Sequence, residues 1–215
     1  VTDTSSVTSM KRMLAVCKAI TSLDLSSFDT SSVTDMHRMF QDMGKQAPSN
    51  FSIDVSSFDT SSVTDMGSMF YGANKIISLD LSNFDTSNVT DFSSMFRTGP
   101  SFASSALDLR HFNTSSATTF ANMFQYQFTP NSGFITSINV TGWDTSNVTK
   151  FNAMFADMEN LTSIIGLNTF DTSSATAMNA MFYELPSLTS LDVSNFNTTN
   201  VTYMNAMFYQ LEGLT

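Results

Sequence analysis

The sequence predicts an α/β repeat solenoid, a right-handed coil with one parallel β-sheet on a face and short helical turns opposite. Three observations carry that expectation. A motif returns eight times along 215 residues, an alternating apolar run precedes the copies, and apolar residues at helical spacing follow them. A period of 20 to 50 residues marks units that cannot bury their own apolar faces and must stack.

The motif reads Phe28-Asp29-Thr30-Ser31-Ser32-Val33-Thr34-Asp35-Met36 and runs on to Met39-Phe40. It recurs from Phe58 to Phe70, Phe84 to Phe96, Phe112 to Phe124, Trp143 to Phe155, Phe170 to Phe182 and Phe196 to Phe208. An eighth copy, Asp3 to Leu14, lacks the leading aromatic. The Asp or Asn after that aromatic stands at 3, 29, 59, 85, 113, 144, 171 and 197, giving steps of 26, 30, 26, 28, 31, 27 and 26.

Upstream lies LxxLxLxxF, as in Ile20, Leu23, Leu25 and Phe28 or Leu188, Leu191, Val193 and Phe196. The L-x-L alternation predicts a short strand with one face inward. Asp-Thr-Ser predicts a tight turn in which the carboxylate accepts the N–H two residues on. Val33, Met36, Met39 and Phe40 then fall at i, i+3, i+6 and i+7, which predicts one or two helical turns capped by Ser32 or Thr34.

Thirteen of the 15 Met residues occupy two repeat columns, and Phe92, Phe120 and Phe151 replace Met in the first. Met43 and Met158 share a further apolar column with Cys17, Ala73, Leu185 and Leu211, so Cys17 reads as a buried small hydrophobe. Stacked at about 4.8 Å, eight coils form a rod roughly 40 Å long. The expected organisation is one array over residues 1–215, in mid-repeat at both ends and hence a fragment of a longer array.

Composition narrows the function. Only 13% of residues are charged, against roughly 25% in ordinary soluble domains. A net charge of −10 is the wrong sign for phosphates, so no nucleic acid is expected as partner. No apolar run approaches the roughly 20 residues of a bilayer span, so this segment is expected not to insert in a membrane. Ser and Thr make up 62 residues.

The unit LxxLxLxxF followed by D/N-T-S/T-x-V/A-T-x-M/F-x-x-M-F resembles the BspA-like leucine-rich repeat family of bacterial and mycoplasma surface proteins. The segments Phe84 to Phe92 and Leu191 to Phe196 carry the likeness most closely. The resemblance implies a leucine-rich-repeat-like coil in an extracellular, surface-attached protein, often adhesive, with no catalytic residues to carry over. The pattern departs at Arg110-His111, at Gln125 to Phe134 and at Ile164 to Leu167.

The candidate binding surface is the outward position between the two strand apolars: Asp24, Asp54, Asp80, Asp108, Asn139, Gly166 and Asp192, flanked by serines. It predicts an acidic, hydroxyl-rich stripe on an open sheet, suited to a protein or glycan on another cell or in the matrix. Neighbouring carboxylates in that row repel by about 0.9 kcal/mol when hydrated, which is tolerable. A second acidic column, Asp29, Asp59, Asp85, Asp144 and Asp171, reads as turn-making, because Asn113 and Asn197 substitute for it. Beside it Thr30, Thr60, Thr86, Thr114, Thr145, Thr172 and Thr198 form a hydroxyl ladder that invites comparison with ice-ordering arrays, although the uneven spacing opposes that use.

Sequons occur at Asn50, Asn88, Asn113, Asn139, Asn147, Asn160, Asn197 and Asn200, and in a eukaryotic source these are glycosylation acceptors. No enzyme, cofactor or metal is expected: His37 and His111 lie three coils apart, and no Gly-rich phosphate loop occurs. The expected function is an extracellular adhesion module that uses the stripe or the insertions Gln41 to Asn50, Arg97 to Ser105 and Gln125 to Gly133. The alternative is a stalk or filament subunit built by end-to-end self-association.

Overall fold

The computed structural model describes residues 3–100, 105–126 and 135–214. Its repeated units lie side by side in chain order and pair in parallel with their sequence neighbours. Parallel bridges link Ser9 to Asp35, Asp35 to Asp65, Asp65 to Asp91, Asp91 to Thr119, Thr119 to Lys150, Lys150 to Ala177 and Ala177 to Tyr203.

Five short strands form: β1 (Phe51–Ser52), β2 (Ile76–Ser78), β3 (Ala106–Asp108), β4 (Ser137–Asn139) and β5 (Ser163–Ile165), of which β3 and β4 fall on the L-x-L pattern while β1, β2 and β5 lie a few residues upstream of it. The single sheet of the sequence reading is corrected here. β1 and β2 form one parallel pair, β3, β4 and β5 a separate sheet, and the first two units and the last carry no strand among the described residues. β1 to β4 are short because an Asp or Asn at or just past the end turns the chain, and β5 ends at the left-handed Gly166. The Ser56 N–H reaches the Asp54 carboxylate at 2.9 Å, and the Thr141 N–H reaches Asn139 Oδ1 at 3.1 Å.

The expected helical turns are absent. Met36, Met39, Phe40 and Met43 are fully buried, yet the backbone beneath them runs as tandem turns. Met39, Gln41 and Met43 donate to the carbonyls of Met36, Arg38 and Phe40, each at 3.1 Å. Arg38 and Asp42 carry positive φ of 60° and 52°, which places each as the third residue of a type II turn. The intervening N–H groups of Met36, Arg38, Phe40 and Asp42 reach the carbonyls of Asp65, Gly67, Met69 and Tyr71 in the next unit at 2.7–3.0 Å. Turn bonds and inter-unit bonds thus alternate, leaving no donor orphaned. Among the described residues the one helical segment is the 3-10 turn Leu167–Thr169.

The core is a set of ladders. Phe40, Phe70, Phe96, Phe124, Phe155, Phe182 and Phe208 stack with centroids 5.3–6.0 Å apart and planes within 3–11°. Trp143 joins the other aromatic column, packs on Phe120 at 5.0 Å and donates its buried indole N–H to the Leu109 carbonyl at 2.9 Å. Cys17 is half-buried rather than buried.

The helical and tandem-turn descriptions diverge at Ala180, whose φ is 55°. A left-handed alanine costs about 1–2 kcal/mol, more than the roughly 0.5–1 kcal/mol that glycine loses in chain entropy. Ala180→Gly is therefore expected to raise the urea midpoint, whereas in a helix it would lower stability by about 1 kcal/mol. Urea unfolding followed by circular dichroism checks the sign.

Candidate binding surface

Three corners of the unit are built by the same device. Asp24, Asp29 and Asp35 each accept the N–H two residues on, from Ser26 at 2.9 Å, Ser31 at 3.0 Å and His37 at 2.9 Å. The second corner works with amides too, since Asn113 Oδ1 accepts from the Ser115 N–H at 3.1 Å and Asn197 Oδ1 from the Thr199 N–H at 2.9 Å.

The threonine ladder beside that corner faces inward except at exposed Thr198, which removes it as an ice-ordering plane. Thr30, Thr60, Thr86, Thr114, Thr145 and Thr172 are buried to 1–2% exposure. Thr30 Oγ1 donates to the Asp59 carbonyl at 2.8 Å and accepts from the Asp59 N–H at 2.8 Å. The exposed ladder is the other threonine of the motif. Thr64 donates both N–H (2.9 Å) and Oγ1 (3.2 Å) to the Thr34 carbonyl, and Thr90 does the same to Thr64 at 2.9 and 3.1 Å.

Asp24, Asp54, Asp80, Asp108 and Asp192 are exposed and Asn139 half-exposed. The first four sit on consecutive units. Asp54 feels the charges of both Asp24 and Asp80, although the Ser56 hydroxyl and N–H hold its carboxyl below the usual range. Asp108 differs: Arg110 grips it at 2.6 Å through Nη2 and at 2.9 Å through Nε, and holds its carboxyl down at about 2. Beyond Asn139 the row changes register. Asn139 pairs with Ile165 rather than with Gly166, so an exposed isoleucine takes the expected place. Gly166 has φ of 94°, and a Cβ there would meet the Thr141 backbone N at 2.5 Å, which accounts for its glycine.

The position before the aromatic proves to be an inter-unit staple. Asn83 Nδ2 reaches the Phe58 carbonyl at 3.1 Å and His111 Nε2 lies 3.1 Å from the Leu81 carbonyl; Asn195 Nδ2 bonds the Asn168 carbonyl. Arg110-His111 is thus a departure in sequence that keeps the staple. A second staple explains one sequon column. Asn88, Asn147 and Asn200 donate Nδ2 to the carbonyls of Ser61, Ser115 and Ser173 at 2.8–3.0 Å, and Ser116 and Ser174 bond equivalently at 2.6 Å. In Asn-Val-Thr the asparagine staples, the valine fills the core and the threonine joins the exposed ladder. Asn113 and Asn197 are turn formers, while Asn50 and Asn160 are exposed.

Sequence reasoning missed a third acidic row. Asp35, Asp65 and Asp91 are adjacent bridge partners and half-buried, with His37 Nδ1 3.3 Å from Asp65 Oδ1 and Lys11 Nζ 3.8 Å from Asp35 Oδ2. The helical reading hid it, because it made Asp35 a first-turn residue. Among the described residues no group of three or more His, Cys, Asp or Glu is placed to hold a metal ion, and no helix is long and apolar enough to cross a membrane. Phe102, Phe128 and Phe134 of the insertions lie outside the described residues.

Three overlapping stretches, residues 2–46, 42–134 and 125–215, match a family described as Mycoplasma protein of unknown function, DUF285. The chain belongs to this family. The match to DUF285 falls three times in succession, in keeping with the repeated units. No curated protein and no solved structure matches the chain.

The corner carboxylates set an acid limit on stability. Hydrogen bonds from the serine two residues on lower the pKa of Asp59, Asp85 and Asp171 in the folded chain. Their stabilisation is therefore complete above the unfolded value near ~3.9 and disappears as the pH falls through the folded values. Melting temperatures are expected to hold from neutral pH down to about 4 and then to drop. The fall is expected to be shallower in an Asp59→Asn, Asp85→Asn double variant, and thermal melts in a buffer series check both.

Proposed function

We propose that this chain is the binding module of an extracellular, cell-surface adhesin, built as a leucine-rich-repeat-like right-handed solenoid of the BspA type. The row Asp24, Asp54, Asp80 and Asp108 carries the reading. Its carboxylates are exposed on four consecutive units, each is oriented by its own turn bond, and only Asp108 has a basic partner among the described residues. A row of carboxylates already oriented by turn bonds suits a protein or glycan with repeating donors, because those side chains need little ordering on binding. The proposed role needs no catalytic residue.

Replacing Asp54, Asp80 and Asp108 with Asn tests this. The turns should survive, since Asn139 makes the same bond in the same row. Beads coated with the chain are expected to adhere to at least one surface in a panel of glycans and matrix proteins. The triple variant is expected to lose about tenfold or more of that adhesion while its melting curve is preserved. Equal adhesion by both would remove the row from function.

A further inference from the structure

The units carrying Asp80 and Asp108 are joined through the Thr118 N–H to the Thr90 carbonyl at 2.9 Å and the Ser94 N–H to the Ala121 carbonyl at 2.8 Å. On their outer side lies a cleft of about 450 Å³, between Leu79 to Ser82 on one unit and Leu107 to His111 on the next.

The cleft is rich in acceptors over an aliphatic floor. Asp80 Oδ1 takes the Ser82 N–H at 2.9 Å, and its carboxyl is held below the usual range by the Ser82 N–H and hydroxyl, with a smaller contribution from nearby His111. The Leu81 carbonyl can only accept, so His111 Nε2 carries a hydrogen toward it. Arg110 also lines the cleft, and Asp108 already occupies it through Nε and Nη2. Leu79, half-buried, contributes apolar surface at the same level.

Such a site matches a ligand that brings its own donors and positive charge on an apolar stem. We infer that the cleft seats a lysine side chain of a basic peptide segment, its ammonium against Asp80 and its methylenes over Leu79. Charge complementarity supports this occupant: the chain carries −10 overall, and Asp54 and Asp24 continue the row beyond Asp80. An anionic ligand would meet Asp80 with a guanidinium that is already paired. A lysine stem along apolar surface with its head group on a carboxylate is the usual compromise for that side chain. The assignment rests on the binding-module reading and gives it a partner class.

The probe is Nα-acetyl-lysine methylamide, titrated into the uniformly 15N-labelled chain and followed by amide chemical shifts. Saturable shifts confined to residues 79–82 and 107–111 are expected. Affinity is expected to fall about tenfold in Asp80→Asn, the loss of one charge-assisted contact, and to be unchanged in Asp192→Asn, which lies in the same row away from the cleft. The Nε-acetylated probe, which keeps the stem and loses the charge, is expected not to bind. Equal weakening by both variants, with shifts along the whole row, would overturn the site in favour of diffuse attraction to an acidic surface. Equal binding of the two probes would overturn it in favour of a simple apolar cavity, and absence of shifts would overturn it outright. Bead adhesion that is lost in the triple variant while lysine fails to bind removes the cleft alone and leaves the adhesive row.

Discussion

A buried hydroxyl holds each unit against the next. At the Asp-Thr-Ser corner the threonine lies in the core margin and bonds the backbone of the following unit, from Thr30 to Asp59 at 2.8 Å and on through Thr172 to Asn197 at 3.1 Å. A valine there would leave the facing carbonyl and N–H buried without partners, at roughly 1–3 kcal/mol for each group. The surrounding residues follow from that contact. The Asp or Asn before it makes the turn that aims the threonine inward, and the Val or Ala after the serines closes the core below. Insertions are accordingly absent from the stretch between the leading aromatic and the final Phe. They gather between that Phe and the next strand, where fewer backbone bonds tie the units together.

Much of this was legible in the sequence because columns repeat. Eight copies fix which residues face a common core, and an Asn standing in for Asp shows that a carboxylate charge is not required at the corner. The path of the backbone between the columns was not legible. Apolar residues at i, i+3, i+6 and i+7 satisfy a helix, but they equally satisfy tandem four-residue turns that return to the core once per turn. The distinguishing feature is a left-handed residue such as Arg38 or Ala180, which side-chain identity does not announce. The facing of the two motif threonines was hidden for a related reason. Both have the same composition, and only the turn geometry decides which is buried. Within the row, the slip that pairs Asn139 with Ile165 follows from the close approach of Gly166 to Thr141, a contact between units that no single unit encodes.

The ladders give the stack a direction. In the tandem-turn ladder each unit donates to the one after it, as Phe70 does to Met95 and Phe96 does to Met123, whereas in the exposed threonine ladder each unit donates to the one before, as Thr118 does to Thr90. Opposed rows of bonds along the same stack fix both sides of every interface, so a unit cannot slide without breaking both. Stability in such an arrangement is a sum over neighbouring interfaces. A local defect then loosens its neighbours without dismantling the whole.

That tolerance bears on how a repetitive surface can acquire a specific site. Eight equivalent corners offer a partner many registers of similar energy, which favours avidity over discrimination. Discrimination needs a position that differs from its neighbours. The cleft between the units of Asp80 and Asp108 supplies one, since the row of carboxylates changes character there, from Asp80 to Arg110-bound Asp108. His111 shows how such a difference arises without harm to the fold: it keeps the backbone staple of Asn83 and Asn195 while adding an imidazole ring to the cleft. Substitutions that preserve the inter-unit bond and alter only the outward atoms are the ones a stacked fold can accumulate, and the cleft is where such a change also meets open volume.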